Sequence, residues 1–264
     1  MSVRPPFYRP LANEQQVFRV AHDARVPLML TGPTGCGKTR LVEHMASVVG
    51  QPLITITCHD DLTSADLLGR FLVKSGDVEW VDGPLTRAVR EGAICYLDEV
   101  VEARRDTLAA LHALTDHRRT LYLDRIDESV RAPDTFMLVC SYNPTSRSVL
   151  KELKPSFRQR FVGVDLDYLP PEAEAEVICS ETTANPEIAR KLVELASGLR
   201  AASESSVHEP PSTRSLVTAA KLVAAGLGQS DAVEAAVMAP LVSGGPLDEG
   251  LREILAATNS ETSG

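Results

Sequence analysis

Short apolar runs recur along the first two thirds of the chain, at Pro27–Leu30, Leu53–Thr57, Ala93–Leu97, Phe136–Cys140 and Phe161–Leu166. Each is of strand length, and several are nearly all apolar rather than alternating. That is how parallel strands covered on both faces read. Between them the period becomes helical. Lys38–Val49 sets Leu41, Val42, Met45 and Val49 on one face and stops at Gly50, and Val101–Leu114 repeats apolar residues at helical spacing. Both are expected as crossover helices, giving an α/β fold with a doubly wound parallel sheet.

After Tyr168-Leu169-Pro170-Pro171 the strand-like runs cease. An Ala/Leu/Val/Glu-rich helical pattern follows, broken at Asn185-Pro186, Pro210-Pro211 and Gly226–Gly228. The expected division is an α/β domain over residues 1–168 and a small all-α lid over 169–264. Two segments do not fit a plain sheet. Leu67–Val81 carries Ser75-Gly76-Asp77 between two apolar stretches, and Leu121–Arg131 alternates around Asp124 and Asp127. Both are expected as hairpins inserted into the core, near 67–81 and 121–131. The polar end Asn259–Gly264 is expected to fray.

Composition narrows the function classes. A chain of 264 residues with 44% hydrophobic side chains can bury one full α/β core and a smaller second unit. Asp and Glu outnumber Lys and Arg by 36 to 27, and a net charge of -9 opposes a lasting grip on phosphate backbones, so nucleic acid is not expected as a partner. No run approaches the ~18 to 20 apolar residues of a membrane span, and Met1–Pro10 is too polar and proline-rich for a signal peptide. A cytoplasmic location is the expectation. Cys36, Cys58, Cys95, Cys140 and Cys179 are far apart and form no C-x-x-C pair. They read as buried thiols rather than zinc ligands or disulfides.

The chemistry concentrates at strand ends. Gly32-Pro33-Thr34-Gly35-Cys36-Gly37-Lys38-Thr39 matches G-x-x-x-x-G-K-[ST], directly after one strand and directly before a helix. Such a loop curls backbone N–H groups around the phosphates of ATP, with Lys38 on the β and γ oxygens and Thr39 on magnesium. The strand at 93–97 ends in Asp98-Glu99, two carboxylates at the edge where doubly wound sheets bind ligands. Asp98 would hold Mg2+ and Glu99 would orient or activate the attacking water. Asn143, after the Phe136–Cys140 strand, could sense the γ-phosphate.

Arg158 and Arg160 close a helix just before the last strand and suit a neighbouring subunit's γ-phosphate, with Arg160 the favoured finger and Arg158 second. Arg214, in the first turn of a helix opening at Ser212-Thr213, sits against the dipole preference, which points to something anionic: the γ-phosphate of its own subunit. Cys58-His59-Asp60-Asp61 resembles a metal cluster only in composition, because adjacent residues cannot all face one ion. Trp80, near a hairpin tip, reads as a packed aromatic or a substrate contact. A P-loop kinase for a small metabolite would need an acceptor site, and has no use for Asp98-Glu99 with a trans arginine. A nucleotide-gated switch without turnover has no need of a hydrolytic set.

With these positions in view, the chain resembles the MoxR branch of AAA+ ATPases, and within it the CbbQ, NorQ, NirQ and GvpN group. The resemblance runs from about Phe7 to Tyr168. It is carried by CHDDLTSADLLGR (58–70), GDVEWVDGPLTRAVREGAICYLDEVVEARRDT (76–107), LTDHRRTLYLDR (114–125), SYNP (141–144) and LKPSFRQRF (153–161), and in the lid mainly by STR (212–214). It implies a ring hexamer that hydrolyses ATP with magnesium, two hairpin inserts, and a partner bearing a von Willebrand A domain, CbbO-like. Lys38, Thr39, Asp98, Glu99, Asn143, Arg160 and Arg214 would keep the roles above. The likeness is greatest to CbbQ members, motors of a two-component Rubisco activase that releases inhibitory sugar phosphates from Rubisco. NorQ members, which help activate nitric oxide reductase, share most of the same strings.

Overall fold

The computed structural model describes residues 5–74, 76–144, 153–203 and 210–241. Asn259–Gly264 and Ser75 lie outside them. In chain order the strands are β1 (Leu28–Thr31), β2 (Leu53–Thr57), β3 (Gly69–Lys74), β4 (Asp77–Asp82), β5 (Ile94–Asp98), β6 (Thr120–Leu123), β7 (Glu128–Arg131), β8 (Met137–Tyr142) and β9 (Val162–Asp165). The helices are α1 (Glu14–Asp23), α2 (Lys38–Val49), α3 (Ser64–Leu68), α4 (Pro84–Glu91), α5 (Arg105–Ala109), α6 (Pro155–Arg158), α7 (Pro171–Glu181), α8 (Pro186–Ser203), α9 (Thr213–Ala224) and α10 (Gln229–Val233), with a π turn and a short α11 (Ala239–Leu241) after them. Two compact units result: Met1–Gly32 with Lys38–Leu166, and Pro33–Gly37 with Asp167–Gly264.

In the first unit, five parallel strands run in the order β2-β5-β8-β1-β9. The registers Thr57↔Asp98, Leu97↔Cys140, Thr31↔Tyr142 and Thr31↔Asp165 bring the C-terminal ends of all five strands to one edge. Strand alternation then divides the residues between two faces. Met29, Cys95, Leu97, Leu138 and Cys140 pack on one face with Leu85 and Val89 of α4, Leu111, Leu121, Phe136 and Phe157. Ile94, Tyr96 and Asp98 point to the other face, where α2 lies against β5. That helix buries Leu41, Val42, Met45 and Ala46.

The crossover after β5 is not the helix that Val101–Leu114 suggests. Ala103 and Arg104 adopt extended backbone, at ψ 149 and 151, which interrupts any helix there. Only Arg105–Ala109 is α-helical; successive i→i+3 bonds then turn the chain, Ala110 N to Thr107 O, Leu111 N to Leu108 O and Leu114 N to Leu111 O. Turns of this kind keep Leu111 and Leu114 inward at the spacing a helix would use.

Strands β3 and β4 pair antiparallel from Gly69↔Asp82 to Lys74↔Asp77, and β6 pairs with β7 from Thr120↔Arg131 to Leu123↔Glu128. Trp80 packs edge-on to Phe71 at 5.3 Å and donates to Asp82. Arg90 of α4 ties both hairpins down, donating from Nε to Asp82 and through both terminal nitrogens to Glu128. Arg119, in left-handed backbone at φ 48, clamps the second hairpin by donating to the carbonyls of Arg25, Pro133 and Phe136.

The second unit is helical over Asp167–Gly264 where described. Ile178 of α7, Leu192, Val193, Ala196 and Leu199 of α8, Leu216, Ala219 and Ala220 of α9, and Val233, Val237 and Met238 form its core. No helix among the described residues is long and apolar enough to cross a membrane. Cys58, Cys95 and Cys140 are buried as expected of inert thiols, but Cys36 and Cys179 are only half-buried: one lies in a loop and the other near the end of α7.

Candidate active site

The loop Gly32–Gly37 leaves β1 and delivers the chain into α2. Gly35 at φ 71 and Gly37 at φ 107 occupy backbone conformations that side-chain-bearing residues rarely adopt, which is why the loop needs glycine there. Lys38 is buried and donates from Nζ to the Gly32 carbonyl at 2.8 Å, so its ammonium is folded over its own loop. No acidic residue stands in the first turn of α2, leaving the positive end of a twelve-residue helix for an anion.

Next to it, Asp98 closes β5. Its Oδ1 accepts from the Tyr96 hydroxyl at 2.8 Å and from the Ser141 hydroxyl at 2.5 Å. Tyr96 also lies 3.0 Å from Ser141 Oγ and 3.4 Å from Thr39 Oγ1. Burial and the Asp98 charge push the Tyr96 phenol well above its ordinary range, so it stays protonated as a donor. Tyr96 and Ser141 were not singled out from sequence, where both read as strand interior.

Glu99 follows at φ 55 and ψ 51, a left-handed conformation that a glutamate adopts only under constraint. Its backbone N–H donates to Ser141 Oγ at 3.3 Å. Burial holds its carboxyl above the ordinary range, Lys38 offsets part of this, Asp98 adds to it, and a bond from the Asn143 backbone pulls the other way. Asn143 is buried one residue beyond β8. Lys38, Thr39, Asp98, Glu99 and Asn143, proposed from distant parts of the sequence, are thus all placed at strand ends or helix starts of the first unit. Cys58, beside them, has its thiol pushed up to about 12 by burial, then by Asp98 and Glu99. Such a thiol is not a ready metal ligand.

Arg158 ends α6 and is exposed; Arg160 lies two residues beyond. The Arg160 guanidinium donates to the carbonyls of Ser156 and His112, both at 3.2 Å, and stands 3.7 Å from Asp116. Burial, then the charges of Arg160 and Lys154, hold His112 below its usual range. Neither arginine contacts Lys38, Asp98 or Glu99.

Within the second unit, Ser212 caps α9 by accepting from the Ser215 amide, and Arg214 sits in its first turn. A Cβ built on Gly35 would fall 2.6 Å from Ser212 Cβ and 3.4 Å from Arg214 Cβ, so the backbone at Gly35 and the start of α9 are in close contact. Behind them lies an ion pair that sequence reading missed. Glu174, fully buried, accepts from both terminal nitrogens of Arg200 at 2.8 Å and from the Thr213 hydroxyl at 2.6 Å. Arg200 also donates to Pro211 O and stacks 3.8 Å over the Tyr168 ring, whose hydroxyl donates to Thr34 O. A signal existed: Glu174 stands four residues before buried Ile178, on the apolar face of α7.

The donor set fits a hard divalent cation. The Thr39 hydroxyl and the Asp98 carboxylate are oxygen donors, joined through one tyrosine hydroxyl. Among the described residues no group of three or more His, Cys, Asp or Glu could hold a metal. A cation here would therefore be completed by phosphate oxygens and water, the habit of magnesium.

Comparisons with known proteins identify the family. A family model described as AAA domain (dynein-related subfamily) matches residues 27–161, and one described as CbbQ/NirQ/NorQ C-terminal matches residues 174–258. Protein NorQ of Paracoccus denitrificans (strain Pd 1222) is 50% identical over 97% of this chain and 95% of its own length. Protein CbbQ of Hydrogenophilus thermoluteolus is 47% identical over 94% and 92%. A crystal structure of a candidate ATPase from Cytophaga hutchinsonii superposes with a TM-score of 0.54 at 19% identity, over 93% of this chain and 80% of that one, a likeness of fold alone. Identity at this level over nearly the whole length, with both family models matched, places the chain in the CbbQ/NirQ/NorQ family of AAA ATPases.

Proposed function

We propose that this protein hydrolyses ATP with magnesium in a ring, expected to be hexameric, of its own copies and uses the energy to remodel another protein. The observation that carries the reading is Glu99: a carboxylate in left-handed backbone, one residue past Asp98, with its pKa raised by burial. Strain and a shifted pKa together are what a group reserved for chemistry displays. In this reading Gly32–Gly37 and Lys38 hold the phosphates, Thr39 and Asp98 hold magnesium, and Glu99 activates water. Asn143 holds that water against the γ-phosphate, and Arg214 answers the γ-phosphate from the same chain. Arg160, with Arg158 second, answers that of the neighbouring copy.

The client is chosen through a partner bearing a von Willebrand A domain. Two clients follow from the family. The CbbQ-like reading is Rubisco blocked by sugar phosphates, and the NorQ-like reading is nitric oxide reductase; identities of 50% to NorQ and 47% to CbbQ support both alike. Phosphate release from ATP tests the first claim, and its absence in assembled protein with magnesium would end it. Carboxylation by ribulose-bisphosphate-inhibited Rubisco, and nitric oxide reduction by the unactivated reductase, each measured with motor, partner and ATP, then separate the clients. Glu99→Gln is the control in both.

A further inference from the structure

The sheet order sets a problem for magnesium. Thr39 follows β1 and Asp98 ends β5, yet these strands are not neighbours, because β8 lies between them. The gap is filled from β5 and β8 by two hydroxyls, those of Tyr96 and Ser141, both residues wholly buried. Resting on the ATPase reading above, we propose that Tyr96 and Ser141 are positioning residues for the cation: together they fix which lone pairs of Thr39 and Asp98 face it.

Proton accounting supports this. The Ser141 hydroxyl donates to Asp98 Oδ1 at 2.5 Å, and its oxygen accepts the Glu99 backbone N–H at 3.3 Å. The Tyr96 hydroxyl donates to the same Oδ1 at 2.8 Å. Two donors on one oxygen pin the carboxylate and leave Oδ2 to the cation side. The Tyr96 oxygen keeps a lone pair free to accept, and the one remaining hydroxyl near it is that of Thr39, at 3.4 Å. A Thr39 hydroxyl that ligates a cation through oxygen must send its proton elsewhere. Tyr96 is the acceptor waiting for it. Ser141 also links this set to the strained Glu99, so the same hydroxyl that pins the metal-side carboxylate holds the neighbouring backbone.

A merely structural tyrosine would matter equally with and without metal, and the test uses that difference. A fluorescent, non-hydrolysable ATP analogue is bound to the purified full-length protein, first in EDTA and then across a magnesium chloride titration. Partners behind a metal ligand contribute about tenfold or more to metal affinity. Tyr96→Phe and Ser141→Ala are each expected to raise the magnesium concentration at half-effect by about tenfold, with nucleotide affinity in EDTA equal to wild type. Melting temperature without nucleotide reports folding, and if one variant does not fold, the other decides alone. An unchanged magnesium midpoint in a folded variant, or an equal loss of affinity in EDTA and magnesium, overturns the proposal. Failure of wild type to bind nucleotide under any condition would instead sink the ATPase reading.

Discussion

Glu99 and Glu174 are both withdrawn from water, in different units and by opposite means. Glu174 is met by a bidentate arginine and a threonine hydroxyl, at 2.6 to 2.8 Å. Glu99 is left half-buried in left-handed backbone, with a pKa raised first by burial. A buried charge with every oxygen answered is architecture: removing a partner is costly, and the group has no reason to change state. An under-answered carboxylate on strained backbone is unstable where it stands, and such residues persist where chemistry needs them. The contrast separates what holds this molecule together from what lets it work, and it can be attacked from several sides.

The largest effect is expected from a charge of a third kind. Arg160 is tethered to the carbonyls of Ser156 and His112 with Asp116 3.7 Å away, and in the proposed function it serves a neighbouring copy. Arg160→Ala should lower phosphate release in assembled rings by about 10³ to 10⁵. Mixing it with Lys38→Ala should restore part of the rate, because one hybrid interface keeps both an intact loop and an intact finger. Rings shown to be mixed but still inactive would move Arg160 to a role within its own chain.

Glu99→Gln comes next, with turnover lowered by about 10² to 10⁴ while nucleotide binding persists. Parallel measurement of binding and phosphate release checks this; near-normal turnover would erase the functional half of the contrast. Glu174→Ala should do the reverse. Removing the buried carboxylate that answers the Arg200 guanidinium costs about 3 to 5 kcal/mol, read as a lowered unfolding midpoint in urea. A stable variant with unchanged midpoint would show the ion pair is not architectural.

The smallest effect concerns a third carboxylate, Glu14. Burial pushes it up, but bonds from its own backbone, Leu11, Ala12 and Tyr8 bring it below the ordinary glutamate range. A carboxyl lowered on folding contributes stability that is present above its unfolded value and lost as pH falls through the folded one. Glu14→Gln should therefore cost about 1.5 to 3 kcal/mol at neutral pH, shrinking toward zero in acid. Urea midpoints of both proteins from pH 7 downward check the sign.

The strands of the central sheet were legible because parallel strands roofed on both faces have little choice but to be apolar. The Val101–Leu114 crossover was not, since i→i+3 turns bury Leu111 and Leu114 at the same spacing that a helix would. Asp98 and Glu99 stood out as polar residues closing an apolar run. Their hydroxyl partners did not: Tyr96 looks like any strand aromatic until the strand order is known, and strand order is absent from local pattern. The Glu174–Arg200 pair joins residues of two helices, 26 positions apart. Only packing could reveal it.

The insertion of β8 between β1 and β5 also bears on how the protein folds. Thr39, Tyr96 and Ser141 approach one another only after strands remote in sequence have paired, and such non-local closure is slow because chain entropy is lost before contacts repay it. These three hydroxyls therefore come together late, when the sheet is complete. Nucleotide with magnesium should bind the finished sheet and not its precursors, so it would slow unfolding while leaving the rate of refolding nearly untouched.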